Sequence, residues 1–405
     1  MEPIILNGYH TLIAATLVLL IGRFFVSKIK FLQDFNIPEA VAGGLVAAIV
    51  ILCLYHWMGL SFQFEKSLQN AFMLAFFSSV GLSADFSRLK QGGMPLVIFL
   101  AVVGIFIIIQ NGVGVGLATA LGLDPLVGLV TGSITLTGGH GTGAAWAKIF
   151  SEQYGITGIM EMAMASATFG LVAGGLIGGP VARRLVNKMK KDRKQYSKKM
   201  DTSAEQYDDS TFESADSIRF ITASSTIETM ALFAACLAFS SVMANAFPDL
   251  GLPQFVWALG FGVILRNVLT KVVKFDMFDR AIDVFGNASL SLFLAMALMS
   301  IKLWELAGLA GPMLIILVVQ TIVMILYGYF VTFRVMGKDY DAAILTAGHC
   351  GFGLGATPTA VANMQSVTET FGPSHKAFLI VPLVGAFFVD ILNLGVITWF
   401  VEFLR

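Results

Sequence analysis

Runs of about 20 apolar residues recur along almost the whole chain, and in lipid that feature leaves little freedom in the fold. The bilayer core has no water to pair with backbone N–H and C=O groups, so each run closes its own hydrogen bonds as a helix. Ten such runs are expected to span, at 9–26, 38–57, 67–85, 95–121, 158–182, 228–247, 253–269, 285–303, 312–335 and 377–400. Composition agrees: 56% of the 405 residues are hydrophobic and 13% charged, where soluble domains carry about 25% charge. A soluble globular protein, a disordered chain and a nucleic-acid binder are excluded together. The net charge is zero, so any electrostatics are local. Cys53, Cys236 and Cys350 lie in apolar stretches with neither disulfide nor zinc spacing. The first run is not read as a cleaved signal, because basic residues rather than a small-residue cleavage site follow it.

Orientation follows from Lys and Arg, which accumulate in cytoplasmic loops. With the N-terminus outside and the spans alternating, 22 of the 26 basic residues fall inside. Lys66, Lys302 and Arg405 fall outside, and Lys148 belongs to a segment treated below. Both termini are thus expected outside. Between 187 and 219 the material changes, with 15 of 33 residues charged. That stretch reads as a solvated cytoplasmic linker; an anionic-lipid or partner site is the functional alternative.

The two halves resemble one another at an offset of 215 to 217 residues. Ile37-Pro38-Glu39 answers Leu252-Pro253-Gln254, Asn70 answers Asn287, Gly132 answers Gly348, Gly139 answers Gly355 and Gly155 answers Gly372. Five spans per half is an odd number, so the second half enters the membrane from the opposite side, as in the inverted repeats of secondary transporters. Two apolar segments remain, DPLVGLVTGSITLTGGHGTGAAWAKIF and DAAILTAGHCGFGLGATPTAVANMQ. An extra crossing at either place would upset the charge asymmetry, whereas a re-entrant hairpin preserves it. The expected fold is therefore an all-α polytopic membrane protein of two inverted repeats, each with five transmembrane helices and a re-entrant hairpin between its fourth and fifth. The first repeat covers 1–186 with its hairpin near 124–155, and the second covers 220–405 with its hairpin near 341–372.

In the first hairpin Asp124-Pro125 is an N-cap followed by Pro at the first helical position. A helix from Pro125 to Thr137 would rise about 20 Å, past the middle of a core roughly 30 Å thick, before Gly138 to Gly143 break it. The second tip is expected around Gly351 to Thr359, arriving from the cytoplasm to meet the first near the midplane. Backbone broken at such depth must be buried in protein or line a cavity. Free amides and helix N-termini attract a carboxylate, and unwound carbonyls and hydroxyls suit sodium.

The candidate substrate-binding residues are Thr135, Gly138, Gly139, His140, Gly141, Thr142, Gly353, Leu354, Gly355, Ala356 and Thr357. The sodium candidates are Thr137, Asn287, Ser289, Thr359 and Asp390, the last the one acid near the middle of a span. For Asp390 an ion role and a polar partnership both stand; for Asn287 and Ser289, ion ligation and interhelical hydrogen bonding. Glu39, Glu161 and Glu228 read as caps near span ends, and His140 and His349 as neutral hydrogen-bonding groups. Gly128, Gly132, Gly170, Gly174, Gly175, Gly178 and Gly179 read as close-packing seams.

The strings SITLTGGHGTGAAW, ATFGLVAGGLIGGPVARRLV, GNASLSLFLAMALM, KDYDAAILTAGHCGFGLGATPTAVANMQ and FGPSHKAFLIVPLVGAFFVD resemble the bacterial sodium/glutamate symporter family, over roughly 11–390 except the charged linker. The resemblance implies uptake of L-glutamate with sodium as coupling ion and no cofactor. It also implies residence in the bacterial inner membrane and a homodimer with elevator-like alternating access. The residues alone reach a coupled transporter for a small anion. A sodium- or proton-coupled carrier of another small dicarboxylate or amino acid is the alternative, with a uniporter, an exchanger and a channel as further rivals. An intramembrane enzyme lacks its motifs: there is no HExxH, GxGD or G-x-S-x-G.

Overall fold

The computed structural model describes residues 4–35, 37–86, 88–191, 221–248, 252–300 and 309–405. Most of the charged segment, 192–219, and the end of the eighth expected span, 301–303, lie outside the described residues. The first half contains α1 (Gly8–Lys28), the short α2 (Lys30–Asp34), α3 (Glu39–Met58), α4 (Lys66–Ser83), α5 (Arg88–Ala120), α6 (Pro125–Leu129), α7 (Gly139–Tyr154) and α8 (Ile159–Lys191). The second contains α9 (Ala223–Ala246), α10 (Gln254–Val268), α11 (Asp279–Met299), α12 (Ala310–Tyr327), α13 (Tyr340–Leu354), α14 (Thr357–Phe371), α15 (His375–Leu383) and α16 (Val389–Leu404). A two-residue parallel pairing joins Ile4–Ile5 to Phe62–Gln63, which the apolar pattern does not foretell.

Among the described residues eight helices are long and apolar enough to cross a membrane, so the chain is a multi-pass membrane protein. They match eight of the ten expected spans. The other two are helical with physical reasons for falling short. α4 carries Gln69, Asn70, Ser78 and Ser79 and is wrapped by α10 and α11. The tenth span is divided into α15 and α16 by a π turn, Val384–Phe388, just after Pro382, whose nitrogen has no hydrogen to donate.

The halves pack with matched neighbours. α1 against α3 is answered by α9 against α10, α3 against α11 by α10 against α4, and α5 against α16 by α12 against α8. Pro38 and Pro253 both stand as N-caps, of α3 and α10, and Gly155 and Gly372 both follow the last residue of a helix with φ of 67° and 107°.

At the end opposite the start of α4 lies an ion cluster that sequence spacing does not reveal. Arg266, near the end of the seventh expected span, is buried in the last turn of α10. Its Nη2 lies 3.5 Å from Asp85 Oδ2, and its Nη1 pairs with Asp279. The following Asn267 donates to Ala84 O at 2.9 Å and accepts from Phe86 N at 3.1 Å. A guanidinium taken out of water needs such partners, and these tie α4, α10 and α11 together.

Candidate functional site

Two helix pairs, α6–α7 and α13–α14, meet at their turns. The feet of the first are held together by Arg405, which donates to Asp124 Oδ2 at 2.8 Å and lies 4.7 Å over the Tyr154 ring. The feet of the second are joined by Ser374 Oγ donating to Asp341 Oδ1 at 2.7 Å and by Tyr340 donating to Gly372 O. α8 runs from the feet of the first pair to those of the second, and α7, α13 and α14 all pack against it. Gly170 permits this: a Cβ there would lie 2.0 Å from Leu354 O.

The first pair begins as its sequence dictates, with Asp124 accepting from Leu126 N at 2.9 Å ahead of Pro125. Its helix does not continue regularly to Thr137. After Leu129 it widens into a π turn, Val130–Ile134, within which Gly132 has φ −104° and ψ −134°. The composition explains the early break: β-branched residues crowd this stretch, and hydroxyls compete for its carbonyls. Thr131 donates to Val127 O at 2.9 Å and Thr135 to Val130 O at 2.6 Å. Gly132 is thus a break rather than a close-packing seam. Gly128, Gly170 and Gly178 do sit at close approaches. The chain reverses at Thr137–Gly138, and Gly139, at φ 70°, opens α7. Most of GGHGTG is therefore helical, not the break expected of it.

The second pair is simpler. α13 is capped by Asp339, which accepts from Ala342 N at 2.8 Å, and it runs unbroken from Tyr340 to Leu354. Only Gly355 and Ala356 leave helical geometry before α14. Gly348, the counterpart of Gly132, stays helical.

The turns meet through a hydroxyl and a side-chain amide. Thr137 Oγ1 lies 2.7 Å from Gln110 Oε1 and 3.2 Å from Gly353 O, while Gln110 Nε2 donates to that same carbonyl at 3.0 Å. Around the π turn, Asn111 Oδ1 accepts from Ser133 N, and Asn393 Nδ2 donates to Ser133 O, both at 3.0 Å. Gln320 Nε2 donates to Gln110 O at 2.7 Å. Asn111 Nδ2, Ser133 Oγ, Asn393 Oδ1, Gln320 Oε1 and Thr359 Oγ1 are buried without a hydrogen-bond partner among the described residues. Gln110, Asn111, Ser133, Gln320 and Asn393 were not among the sequence candidates. The available signal was an amide isolated inside an apolar run.

The candidates from sequence divide. Thr137 and Gly353 are directly joined, and Leu354, Gly355 and Ala356 continue from that junction. Gly138 donates to Ser133 O at 2.9 Å. Thr135 and Thr357 spend their hydroxyls on Val130 O and Gly385 O, and Thr142 is buried against Gly138. His140 is buried 3.0 Å from Thr168 Oγ1, whose proton goes to Met164 O; that assigns Nε2–H as the donor. Gly141 faces Phe76 and Leu290. Ser289, beside Leu290 in α11, is buried, whereas Asn287 is exposed and reaches neither turn by a hydrogen bond. Asp390 is half-buried and makes no hydrogen bond or ion pair among the described residues; it stands one turn before Asn393 on α16. Lys148 of α7 donates to Asn70, and Lys66 pairs with Glu152 at 3.0 Å.

A family model described as Sodium/glutamate symporter matches residues 4–373. The chain is 56% identical over 394 residues to the sodium/glutamate symporter of Escherichia coli, covering 97% of this chain and 96% of that one. It is 53% identical over 389 residues to the sodium/glutamate symporter of Haemophilus influenzae, covering 96% and 95%.

Proposed function

The chain belongs to the sodium/glutamate symporter family, and from that premise we propose how it takes up L-glutamate with sodium as the coupling ion. The family transports rather than catalyses, and no cofactor is required. Two inverted five-helix repeats, 1–186 and 220–405 about the linker 187–219, each carry a re-entrant hairpin, and L-glutamate binds where the hairpin turns meet. The observation that supports this reading is the junction of the two turns, where Gln110 donates to Gly353 O at 3.0 Å and the Thr137 hydroxyl lies 2.7 Å from Gln110 Oε1 and 3.2 Å from that carbonyl. The matched packing of the halves supports the repeat. Exchange of their conformations supplies alternating access, with the hairpins and α8 moving as an elevator against α4, α10 and α11. The protein is placed in the bacterial inner membrane with both termini outside, as a homodimer.

The substrate residues are those of the two turns, Thr137–Thr142 and Gly353–Thr357, where amides and helix N-termini face the carboxylates. For sodium we favour the unsatisfied oxygens Ser133 Oγ and Asn393 Oδ1, with Asp390 one turn away on α16, and Thr359 Oγ1 as a second locus. Asn287 and Ser289 are retained as weaker candidates.

Coupling sets the number of ions. A tenfold sodium gradient is worth about 1.4 kcal/mol and a 100 mV potential about 2.3 kcal/mol per charge. One sodium with singly negative glutamate cancels the potential and leaves roughly tenfold accumulation; two leave about 5.1 kcal/mol, between three and four decades. More than one sodium per glutamate is expected, and uptake into proteoliposomes is then electrogenic. Labelled L-glutamate uptake with and without a sodium gradient tests the function. Asp390→Asn should raise the sodium concentration for half-maximal uptake, and an unchanged sodium dependence would remove Asp390 from the ion site. For the topology, single cysteines at Thr137 and Ala356, in a background lacking Cys53, Cys236 and Cys350, should react with impermeant reagents from opposite faces. Reaction from one face in a locked protein sinks the inverted-hairpin reading.

A further inference from the structure

We propose that the cleft between the basic end of α8 and the π turn Gly328–Thr332 that continues α12 binds the headgroup of an anionic phospholipid. The cleft, about 660 Å³, is lined by Pro180, Arg183, Arg184, Asn187, Lys188 and Tyr329. Arg184 and Lys188 are one helical turn apart and exposed, and neither pairs with an acid among the described residues. Lys188 Nζ sits 5.8 Å over the Tyr329 ring, so a cation and an amphipathic aromatic already frame the opening.

Depth selects a lipid over a soluble anion. Arg183 lies about 36 Å along α8 from Ile159, and Tyr329 about 29 Å along α12 from Ala310, which places both at the edge of a core roughly 30 Å thick. From the cleft toward the core, Phe330, Leu326 and Ile322 form an exposed apolar stripe on α12 at four-residue spacing, a surface for an acyl chain. A phosphodiester at this level takes paired N–H bonds from Arg184 and a point charge from Lys188. Arg183 donates to Ser366 O of α14 at 2.9 Å, so an occupant braces α8 where it supports the second helix pair.

The full chain, purified in neutral detergent, is heated with phosphatidylglycerol, phosphatidylcholine or inorganic phosphate over matched concentrations. Phosphatidylglycerol should raise the unfolding midpoint saturably, and the other two should not. The double variant Arg184→Gln/Lys188→Gln should weaken the apparent affinity for phosphatidylglycerol roughly thirtyfold, at about one surface-cation increment per residue, and leave the midpoint in phosphatidylcholine unchanged. Arg184→Lys/Lys188→Arg should keep most of the response. An equal shift with inorganic phosphate overturns the lipid assignment in favour of a soluble anion. A response undiminished in the double Gln variant puts the lipid elsewhere, and no response to phosphatidylglycerol overturns the proposal.

Discussion

The two helix pairs descend from matching stretches of sequence yet are held by opposite chemistry. The first arm of α6–α7 breaks early, at Gly132, and its exposed backbone is taken up by Asn111 and Asn393. The matching arm, α13, never breaks and is gripped by rings. His349, at the position answering Ser133, is fully buried among Phe106, Phe352, Phe99 and Tyr327, with ring centroids 5.3, 5.3, 5.7 and 5.9 Å away. Thr332 Oγ1 lies 2.9 Å from its Nδ1, and Tyr327 donates to Val102 O at 2.8 Å. Broken backbone needs polar partners, whereas an intact helix needs only a shaped wall, so the first arm of one pair is held by amides and that of the other by packed rings.

Substitutions should separate the two. The largest effect is expected for Phe106→Ala, which opens a cavity in the aromatic wall and costs about 3–5 kcal/mol; thermal unfolding in detergent should show it with little change in sodium half-saturation among molecules that stay folded. A preserved midpoint would mean that the rings do not carry the second pair. Asn111→Leu strands the buried Ser133 N–H and should cost about 1–3 kcal/mol, this time with a raised sodium half-saturation. If only stability moves, the amide is scaffold.

The paired glycines give a sharper contrast. A Cβ on Gly348 meets Val381 at 2.6 Å, so Gly348→Ala should cost about 1–3 kcal/mol through overpacking. A Cβ on Gly132 meets Asn111 Oδ1 at 3.0 Å, and Ala favours helix over Gly by about 1 kcal/mol. Gly132→Ala should therefore rewind the turn, with a stability change under about 1 kcal/mol and a large loss of sodium-driven uptake. Equal behaviour of the two variants in both assays would erase the distinction. The last contrast is Thr137→Val, which removes a hydroxyl lying 2.7 Å from Gln110 Oε1 and 3.2 Å from Gly353 O and should cost about 0.5–1.5 kcal/mol while lowering glutamate affinity in a binding assay.

Much of the fold was legible because helix formation in lipid is local. Each span closes hydrogen bonds four residues apart, so apolar length alone located eight of the ten expected spans, Pro38 and Pro253 marked the starts of two of them, and Asp124 and Gly155 bounded the first helix pair. The place where the pairs turn was also legible, to within a few residues, from glycine density. The break at Gly132 was not, because it depends on hydroxyls outbidding the helix for carbonyls and on Asn111, 22 residues away, accepting from the freed amide. Nor could spacing reveal Asn393 against Ser133 at a separation of 260 residues, Gln110 against Gly353 at 243, or Arg266 against Asp85 at 181. Sequence by itself determined that this chain crosses a membrane as helices and where its backbone turns back, since both depend on neighbouring residues. Only the tertiary structure decided which carbonyls and amides are left unsatisfied at the junction, because that depends on which helix faces meet, and no local hydrogen bond encodes it.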